Sequence, residues 1–187
     1  MFDAAVEAWS NDWAWGLPLI VLTVLVHALA LVEIQNQAVR DTTASWSYQA
    51  VDLEGRKAWL AEKAAKGHPV IVARRGAEVL GYAYYGPYRQ ADGYLHTVEN
   101  SVYVRTDQHR QGVGAQLLDA LIERASANGL HVMVAAIEAG NAPSIQLHAK
   151  VGFTEVGRLP QVGAKFGRWL DLLLMQRMLN EAETPPG

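Results

Sequence analysis

The segment from Val98 to Ala115, VENSVYVRTDQHRQGVGA, combines residue types that can hold a pyrophosphate. Its first half is rich in β-branched and aromatic residues and predicts a strand, whereas its second half is polar and predicts a turn. Gly112 and Gly114 lack a Cβ, so a ligand can come close to the backbone there. A helix that begins near Gly112 would point its free N–H groups at an anion in the turn. The spacing fits neither a P-loop nor a dinucleotide-binding fingerprint, so it gives those nucleotide sites little support.

The turn runs His109-Arg110-Gln111-Gly112-Val113-Gly114 and resembles the (Gln/Arg)xxGx(Gly/Ala) signature of the GNAT superfamily of N-acetyltransferases. His109 stands where that signature has Gln or Arg, so the similarity rests on the backbone contacts. Further stretches resemble, in the same order, the phosphinothricin and methionine sulfoximine acetyltransferases: Thr42–Trp46, Thr97–Val104, Asn141–Ser144 with His148, Gly152-Phe153 and Lys165–Asp171. The similarity extends from residue 33 to residue 180, and such an ordered set is more specific than any single motif.

The resemblance implies acetyl-CoA as a co-substrate. The backbone of Val102, Tyr103 and Val104 would pair with the pantetheine arm as an added strand does, in a sheet that splays beside Tyr103. Backbone amides of the turn would bind the pyrophosphate, and they belong to Arg110, Gln111, Gly112, Val113, Gly114 and Ala115. Asn141 and Ser144 would reach the arm or its phosphates. For Asn141 the alternative is a helix N-cap.

Transfer of an acetyl group to an amine needs a base for the ammonium and a proton for the leaving thiolate. Glu99 is the candidate general base, acting through water, because partial burial in its strand would raise its pKa. The alternative is a carboxylate at a strand end with no catalytic role. His148 stands where many GNAT enzymes have a Tyr that serves the thiolate. It has two open roles, a general acid or hydrogen-bond donor to the thioester, and a packing residue that orients Glu99.

Arg89 is the candidate for recognition of an α-carboxylate, which its planar guanidinium matches. The alternative is a solvated loop arginine. By the resemblance, the substrate-binding residues are Tyr88, Arg89, Gln90, Ala91, Glu99, Asn100 and Ser101. Aromatic candidates for the pocket walls are Trp46, Tyr88 and Tyr94, and candidates that close it, from this chain or a second subunit, are Lys165, Phe166 and Trp169. Aromatic residues at such spacing pack equally often in a core.

Composition limits the other classes of function. With 187 residues, of which 50% are hydrophobic, the chain has enough apolar surface for one core. The net charge of −3 and the lack of a long basic run give no footprint for nucleic acid. Because cysteine is absent, disulfides and thiolate nucleophiles are excluded, and the composition is compatible with a reducing compartment. The histidines lack HxxxH and HxH spacing, so we expect no metal.

The elements predict a mixed α/β fold of the GNAT type, with a largely antiparallel twisted sheet of about six or seven strands and about four helices. The predicted helices cover residues 31–40, 53–67, 112–128 and 143–152, and Asp52 is the N-cap of the second. The predicted strands cover residues 70–73, 79–85, 98–104, 132–137, 155–162 and 169–178.

The N-terminal segment is atypical for this fold. Residues 13–32, WAWGLPLIVLTVLVHALALV, carry no charge and match the ~20 residues that a helix needs to cross a bilayer. In one interpretation Pro18–Leu25 is the first strand and Val26–Arg40 the first helix, which supplies the sheet with its edge. In the other, the run is a membrane segment with Trp9, Trp13 and Trp15 near the interface. The predicted divisions are a hydrophobic segment at 1–30, an acetyltransferase domain at 31–182 and a disordered tail at 183–187.

These features predict a cytoplasmic N-acetyltransferase that transfers the acetyl group of acetyl-CoA directly to the α-amine of a small amino-acid analogue. Methionine sulfoximine, methionine sulfone and phosphinothricin are the acceptors that the resemblance implies, and it also implies a homodimer. One alternative is acetylation of a protein or peptide N-terminus, for which an open groove is expected. The other is a non-catalytic acyl-CoA-binding module that keeps the fold without turnover.

Overall fold

The computed structural model describes residues 5–8 and 17–185, with side chains from residue 27 onward. This part of the chain contains seven strands and four α-helices. Their bounds are β1 Ala5–Ala8, α1 Leu17–Asp41, α2 Leu53–Ala65, β2 Val70–Arg75, β3 Glu78–Pro87, β4 Thr97–Val104, α3 Val113–Ala127, β5 Val132–Glu138, α4 Ala142–Lys150, β6 Thr154–Lys165 and β7 Arg168–Met178. Short 3-10 turns at Asp92–Tyr94 and Thr106–Gln108 flank β4.

The strands form one seven-stranded sheet in the order β1-β2-β3-β4-β5-β7-β6. Every neighbouring pair is antiparallel except β4 and β5, which run parallel. A parallel pair needs a crossover connection, and α3 supplies it. The predicted fold class, a mixed and largely antiparallel sheet with four helices, is therefore confirmed.

The predicted helix ends agree with the structure because they depend on local chemistry. Asp52 caps α2, and its carboxylate accepts a hydrogen bond of 2.7 Å from the backbone N–H of Gly55. Helix α3 ends before Gly129, whose φ of +72° belongs to the left-handed region that glycine tolerates. Gly152, at φ +88°, has the same function after α4.

The N-terminal segment differs from the favoured interpretation. The strand predicted at Pro18–Leu25 is wrong, because these residues belong to α1, and the first strand is Ala5–Ala8, paired with β2. A uniformly apolar run has no period-two alternation, so it gives no signal that distinguishes a strand from a helix. Helix α1 also crosses the division predicted at residue 31. Among residues 5–8 and 17–185, no helix combines the length and apolar composition of a membrane span. The predicted interfacial residues Trp9, Trp13 and Trp15 lie outside the described residues, as does the end of the predicted tail at 186–187.

The two faces of the sheet carry separate apolar cores. One face packs against α3, whose buried residues include Leu117, Leu118 and Leu121, together with Val98 and Met133. The other face packs against α1 and α2 and buries a smaller cluster: Ala28, Leu31, Ile34, Leu60, Val70, Val72, Val79 and Tyr82. Strand β4 lies between the cores, and its side chains alternate between them.

Candidate active site

The sheet opens beside β4. The parallel ladder between β4 and β5 contains the pairs Thr97↔Val132, Val98↔Met133 and Glu99↔Val134, and it ends there. Both strands continue past this point, β4 to Val104 and β5 to Glu138, without pairing with each other. The backbone of Val102, Tyr103 and Val104 therefore borders a gap on the β5 side. This is the splay predicted beside Tyr103, and it leaves room for an extended arm that pairs like a strand.

A turn with two left-handed residues lies between β4 and α3. Arg110 has φ +63° and Gly112 has φ +85°. These values lie in the left-handed region, which is unfavourable for residues other than glycine. Helix α3 has neither a side-chain N-cap nor an acidic residue in its first turn, and its first backbone hydrogen bond runs from Gln116 N–H to the Gly112 carbonyl. The N–H groups of Val113, Gly114 and Ala115 thus precede the helical ladder and can bind an anion.

His109 has a structural contact of its own. Its Nε2 donates a hydrogen bond of 3.1 Å to the carbonyl of Val104, which ties the turn to the end of β4. Gln111 reinforces this connection by donating to the carbonyl of Asp107 at 3.1 Å. His109, which stands where the family signature has Gln or Arg, therefore holds the turn against the end of β4.

Glu99 lies at the end of the β4–β5 ladder and is half-buried. Since side chains alternate along a strand, it shares a face with Ser101 and Tyr103, the face covered by α1 and α2. Burial raises the pKa of its carboxyl group, and the guanidinium of Arg89 partly offsets this by lowering the pKa. A raised pKa brings a carboxylate closer to the range useful for a general base.

The loop after β3 brings Arg89 towards Glu99. The Arg89 guanidinium carbon lies 4.5 Å from the centre of the Tyr88 ring, and the Tyr88 and Tyr94 rings meet edge to face at 5.7 Å. Arg89, Gln90 and Ala91 are exposed. A guanidinium stacked on an aromatic ring keeps its outer N–H groups free for a ligand. The structure thus brings together the predicted carboxylate-binding arginine and the predicted base.

Asn100, a predicted substrate-binding residue, has its side chain in the protein interior. Its side chain is buried on the opposite face of β4 from Glu99, where its amide donates to the carbonyl of Val134 at 3.0 Å. Its oxygen faces Nε2 of His148 at 3.1 Å. The strand alternation that buries Val98 and Val102 on this face already indicated the correct side. Asn100 therefore lies against His148, on the side of β4 away from Arg89.

His148, in α4, is 4% exposed, and both of its ring nitrogens face oxygens of this chain. Nδ1 lies 2.8 Å from the carbonyl of Ser144, and Nε2 faces Asn100. A neutral imidazole carries one N–H and can donate to only one of these acceptors. Burial lowers the pKa of His148, and the Ser144 carbonyl acts in the opposite direction. The ring packs edge to face on Phe153 at 5.1 Å. Neither nitrogen is left free towards the gap.

Asn141 and Ser144 begin α4. The side-chain oxygen of Asn141 accepts a hydrogen bond of 3.2 Å from the Ser144 N–H, which is the N-cap arrangement considered as the alternative. The Ser144 hydroxyl lies 3.5 Å from Nδ1 of His148. Both residues therefore fix the helix that carries His148.

The loop between α1 and α2 is held by Lys165 at the end of β6. Lys165 is 2% exposed, and its ammonium donates to the carbonyls of Thr42, at 2.7 Å, and of Ser45. In the same loop, Trp46 packs so closely on Gly163 that a Cβ there would overlap its ring. Phe166 and Trp169, the predicted closing residues, are exposed, Trp169 at 68%. Lys165 and Trp46 therefore position the loop.

Sequence reasoning missed Arg56, in α2. It is buried, its Nη2 donates to the side-chain oxygen of Gln35 at 3.3 Å, and its guanidinium carbon lies 4.6 Å from the centre of the Trp59 ring. The hydroxyl of Tyr82 donates to the same Gln35 oxygen. In the sequence Arg56 precedes Lys57 in an ordinary polar helix, so no local signal separates a buried arginine from an exposed one.

Within the described ranges, no group of three or more His, Asp or Glu is placed to hold a metal ion.

Comparisons with known proteins agree with this geometry. Residues 31–153 match the model of the acetyltransferase (GNAT) family. An L-methionine sulfoximine/L-methionine sulfone acetyltransferase from Pseudomonas aeruginosa is 56% identical over 157 residues, which cover 83% of this chain and 91% of the relative. A phosphinothricin N-acetyltransferase from Alcaligenes faecalis is 41% identical over 156 residues, 83% of this chain and 79% of the relative.

Among solved structures, an acetyltransferase from Salmonella typhimurium with bound acetyl-CoA superposes with a TM-score of 0.86 at 42% identity, covering 97% of this chain and 98% of the other. The family match includes the open junction of β4 and β5 as well as the turn that precedes α3. This protein therefore belongs to the acetyltransferase (GNAT) family.

Proposed function

We propose that this acetyltransferase transfers the acetyl group of acetyl-CoA to the α-amine of a small amino-acid analogue with a tetrahedral polar head. Methionine sulfoximine, methionine sulfone and phosphinothricin are the candidate acceptors. The observation that carries the proposal is the placement of Arg89 in the loop that follows the Gly86↔Glu99 pair, where its guanidinium acts to lower the carboxyl pKa of Glu99. An α-amino acid has its ammonium and carboxylate on one carbon, so neighbouring acid and guanidinium groups complement it. The substrates named for the relatives support the same class.

The gap and the turn would hold acetyl-CoA. Backbone groups of β4 beyond Glu99 have no partner strand on the β5 side, and they would pair with the pantetheine arm. The free N–H groups at the start of α3 would receive the pyrophosphate. Asn141 and Ser144 would contribute indirectly, because their side chains already cap α4 and border His148.

In this proposal Glu99 removes a proton from the substrate ammonium through water. The free amine nitrogen then forms a bond to the carbonyl carbon of the thioester, and the carbon–sulfur bond breaks. The nitrogen then loses its second proton to become an amide, and CoA leaves as a thiolate that takes up one proton on release. The half-buried Glu99 carboxylate is suited to the first step, because its raised pKa favours capture of a proton.

For His148 the geometry favours a positioning role over that of a general acid. Its two ring nitrogens are engaged by Ser144 and Asn100, and its side chain is buried. Asn100 follows Glu99 in β4 and bonds to Val134 at the last rung of the ladder. In this role His148 fixes Asn100 and thereby the point at which the sheet opens.

A homodimer is part of the proposal. Strand β6 ends the sheet and exposes Val156, Leu159 and Val162, and Phe166 in the adjoining turn and Trp169 at the start of β7 are exposed as well. A long apolar edge strand is a surface that proteins normally cover. We expect the protein to sediment as a dimer at micromolar concentration and the Trp169→Glu variant to shift towards monomer. A monomeric wild type would remove this part of the proposal.

A cytoplasmic location is also proposed, since the cysteine-free composition suits a reducing compartment.

The experiment that tests the function is a thiol-release assay with acetyl-CoA and a panel of acceptors. The panel contains the sulfoximine, the sulfone, phosphinothricin, proteinogenic amino acids and short peptides. We expect release with the tetrahedral amino-acid analogues, confirmed by mass spectrometry of the acetylated α-amine. Activity with peptides alone would favour an N-terminal acetyltransferase. Failure with every amine, despite acetyl-CoA binding, would favour the non-catalytic module.

A further inference from the structure

A cavity of about 410 Å³ opens on the α1–α2 side of the sheet. It lies between the two helices, below the loop that joins them. Its lining consists of Gln35, Ala50, Val51, Asp52, Gly55, Arg56, Trp59 and Tyr84. The proposed roles of Glu99, Arg89 and the acetyl-CoA groups use none of these residues. The cavity is large enough for the polar end of a small ligand.

Arg56 is the charged residue that is buried in the cavity wall. It is 4% exposed, and its Nη2 donates to the side-chain oxygen of Gln35 at 3.3 Å. Its Nε is buried without a hydrogen-bond partner. No carboxylate of the described residues forms an ion pair with it. The guanidinium carries five N–H donors, and a buried charge without an anion is costly. The guanidinium can therefore donate further hydrogen bonds to an oxyanion.

Two aromatic rings hold the Arg56 guanidinium in the cavity wall. Trp59 and Tyr82 cover the guanidinium, with its carbon 4.6 Å and 5.7 Å from the two ring centres, and hold it in place. Asp52 lines the cavity as well, but one of its carboxylate oxygens already accepts the Gly55 N–H as the cap of α2. A rigid guanidinium fixed by aromatic rings suits a tetrahedral head with two oxygens.

The cavity is close to the proposed base. Tyr84 lines it, and in the sheet Tyr84 pairs with Ser101 while Glu99 is the next residue on the same face. Diagonal neighbours of this kind have Cβ atoms about 7–8 Å apart. A linear amino-acid analogue can span that distance with its amine at one end and its head group at the other. Arg89 lies in the loop that follows the Gly86↔Glu99 pair, so the two arginines would bind opposite ends of the acceptor.

We propose that the Arg56 cavity binds the distal oxygen-bearing head of the acceptor, the phosphinate of phosphinothricin or the sulfonyl oxygens of methionine sulfone. Arg89 would then bind the α-carboxylate. This inference rests on the proposed function and adds to it the residue that selects the head group. It predicts discrimination against acceptors of the same length that lack oxygen there, since a buried donor left unpaired loses binding energy.

The test compares equilibrium binding of phosphinothricin, methionine sulfone and norleucine to the full chain saturated with CoA, by calorimetry. In the wild type we expect phosphinothricin to bind more tightly than norleucine, which has no head-group oxygen. Arg56→Gln should weaken phosphinothricin by about tenfold or more, the range of a charge-assisted hydrogen bond, and leave norleucine within about twofold. Lys57→Gln is the matched control, because Lys57 adjoins Arg56 in α2 and pairs on the surface with Glu54 at 2.8 Å. That variant should bind all three ligands as the wild type does.

A second variant covers the case in which Arg56→Gln does not fold. Ala50 is exposed and lines the cavity, so Ala50→Phe narrows it without touching the buried charge. It should weaken phosphinothricin and norleucine alike, because the side chains of both ligands reach the narrowed cavity. Equal binding of the two ligands by the wild type, or unchanged phosphinothricin binding in both variants, would overturn the assignment. Failure of the wild type to acetylate any amine would instead count against the proposed function, since binding and turnover are measured separately.

Discussion

The polar side chains on the two faces of β4 differ in how fully they are paired within the protein. On the α3–α4 face, Asn100 donates to the carbonyl of Val134, and the two ring nitrogens of His148 face the Asn100 oxygen and the carbonyl of Ser144. On the α1–α2 face, Glu99 is half-buried and interacts electrostatically with the exposed Arg89, and no carboxylate of the described residues pairs with the buried Arg56.

This difference distinguishes a face of β4 that supports the fold from a face that can bind a ligand. A polar group buried with its partners stabilises one arrangement, whereas one buried without them costs about 1–3 kcal/mol and is available to a ligand. The α3–α4 face can therefore fix the junction where β4 and β5 part, and acetyl-CoA would use the backbone there. The α1–α2 face would select the acceptor through side chains. Substitutions on the first face should reduce stability, and those on the second should reduce turnover or specificity.

The largest effect is expected at Glu99. In Glu99→Gln the amide cannot accept the ammonium proton, so kcat should fall by about 10²–10⁴-fold, the usual contribution of a general base. Acetyl-CoA binding should remain, because Glu99 lies at the end of the ladder and outside the proposed turn site. Steady-state kinetics and calorimetry with acetyl-CoA measure the two quantities.

Glu123→Gln, at an exposed position of α3, is the matched control and should leave kcat unchanged. Turnover of Glu99→Gln near the wild-type rate would exclude the carboxylate from the chemistry. It would also make the two faces of β4 alike, since neither would then carry a reacting group.

The second effect is expected in stability. His148→Ala removes a buried ring and leaves the Asn100 oxygen unpaired, so the free energy of unfolding should fall by about 2–4 kcal/mol. Denaturant titration measures this. The basic limb of the pH–rate profile should stay in place, because a positioning residue does not donate a proton. Loss of that limb with little change in stability would assign His148 to proton donation and reverse the distinction between the faces.

A structural feature could be predicted from the sequence when it depends on a few adjacent residues. The strand, the glycine turn and α3 were predictable because each follows from the conformational freedom of a few adjacent residues, as at Gly112. The opening beside Tyr103 followed from the family resemblance. The side of Asn100 was also available from strand alternation, although the motif to which it belongs suggested the substrate. The strand predicted at Pro18–Leu25 was wrong because an evenly apolar run carries no period.

The buried cations were beyond sequence reasoning. Lys165 and Arg56 each acquire their role from residues far away in the chain: Thr42 and Ser45 for the first, Gln35 and Tyr82 for the second. Composition and periodicity treat both as surface residues. Their burial results from how the helices pack on the sheet, which becomes known only in three dimensions.

The smallest effect separates the charge of Arg89 from its shape. Because Arg89 lowers the pKa of Glu99, Arg89→Gln should raise that pKa and move the acid limb of kcat/KM to higher pH. The base acts unprotonated, so activity on the acid side of the profile falls. The shift should be under about one pH unit, since an exposed charge is screened by solvent. Arg89→Lys keeps the charge but loses the planar fork, so the limb should return while the KM for the acceptor stays raised. An acid limb that is identical in all three proteins would mean that Arg89 does not act on Glu99, and the α1–α2 face would then recognise the acceptor with Arg56 alone.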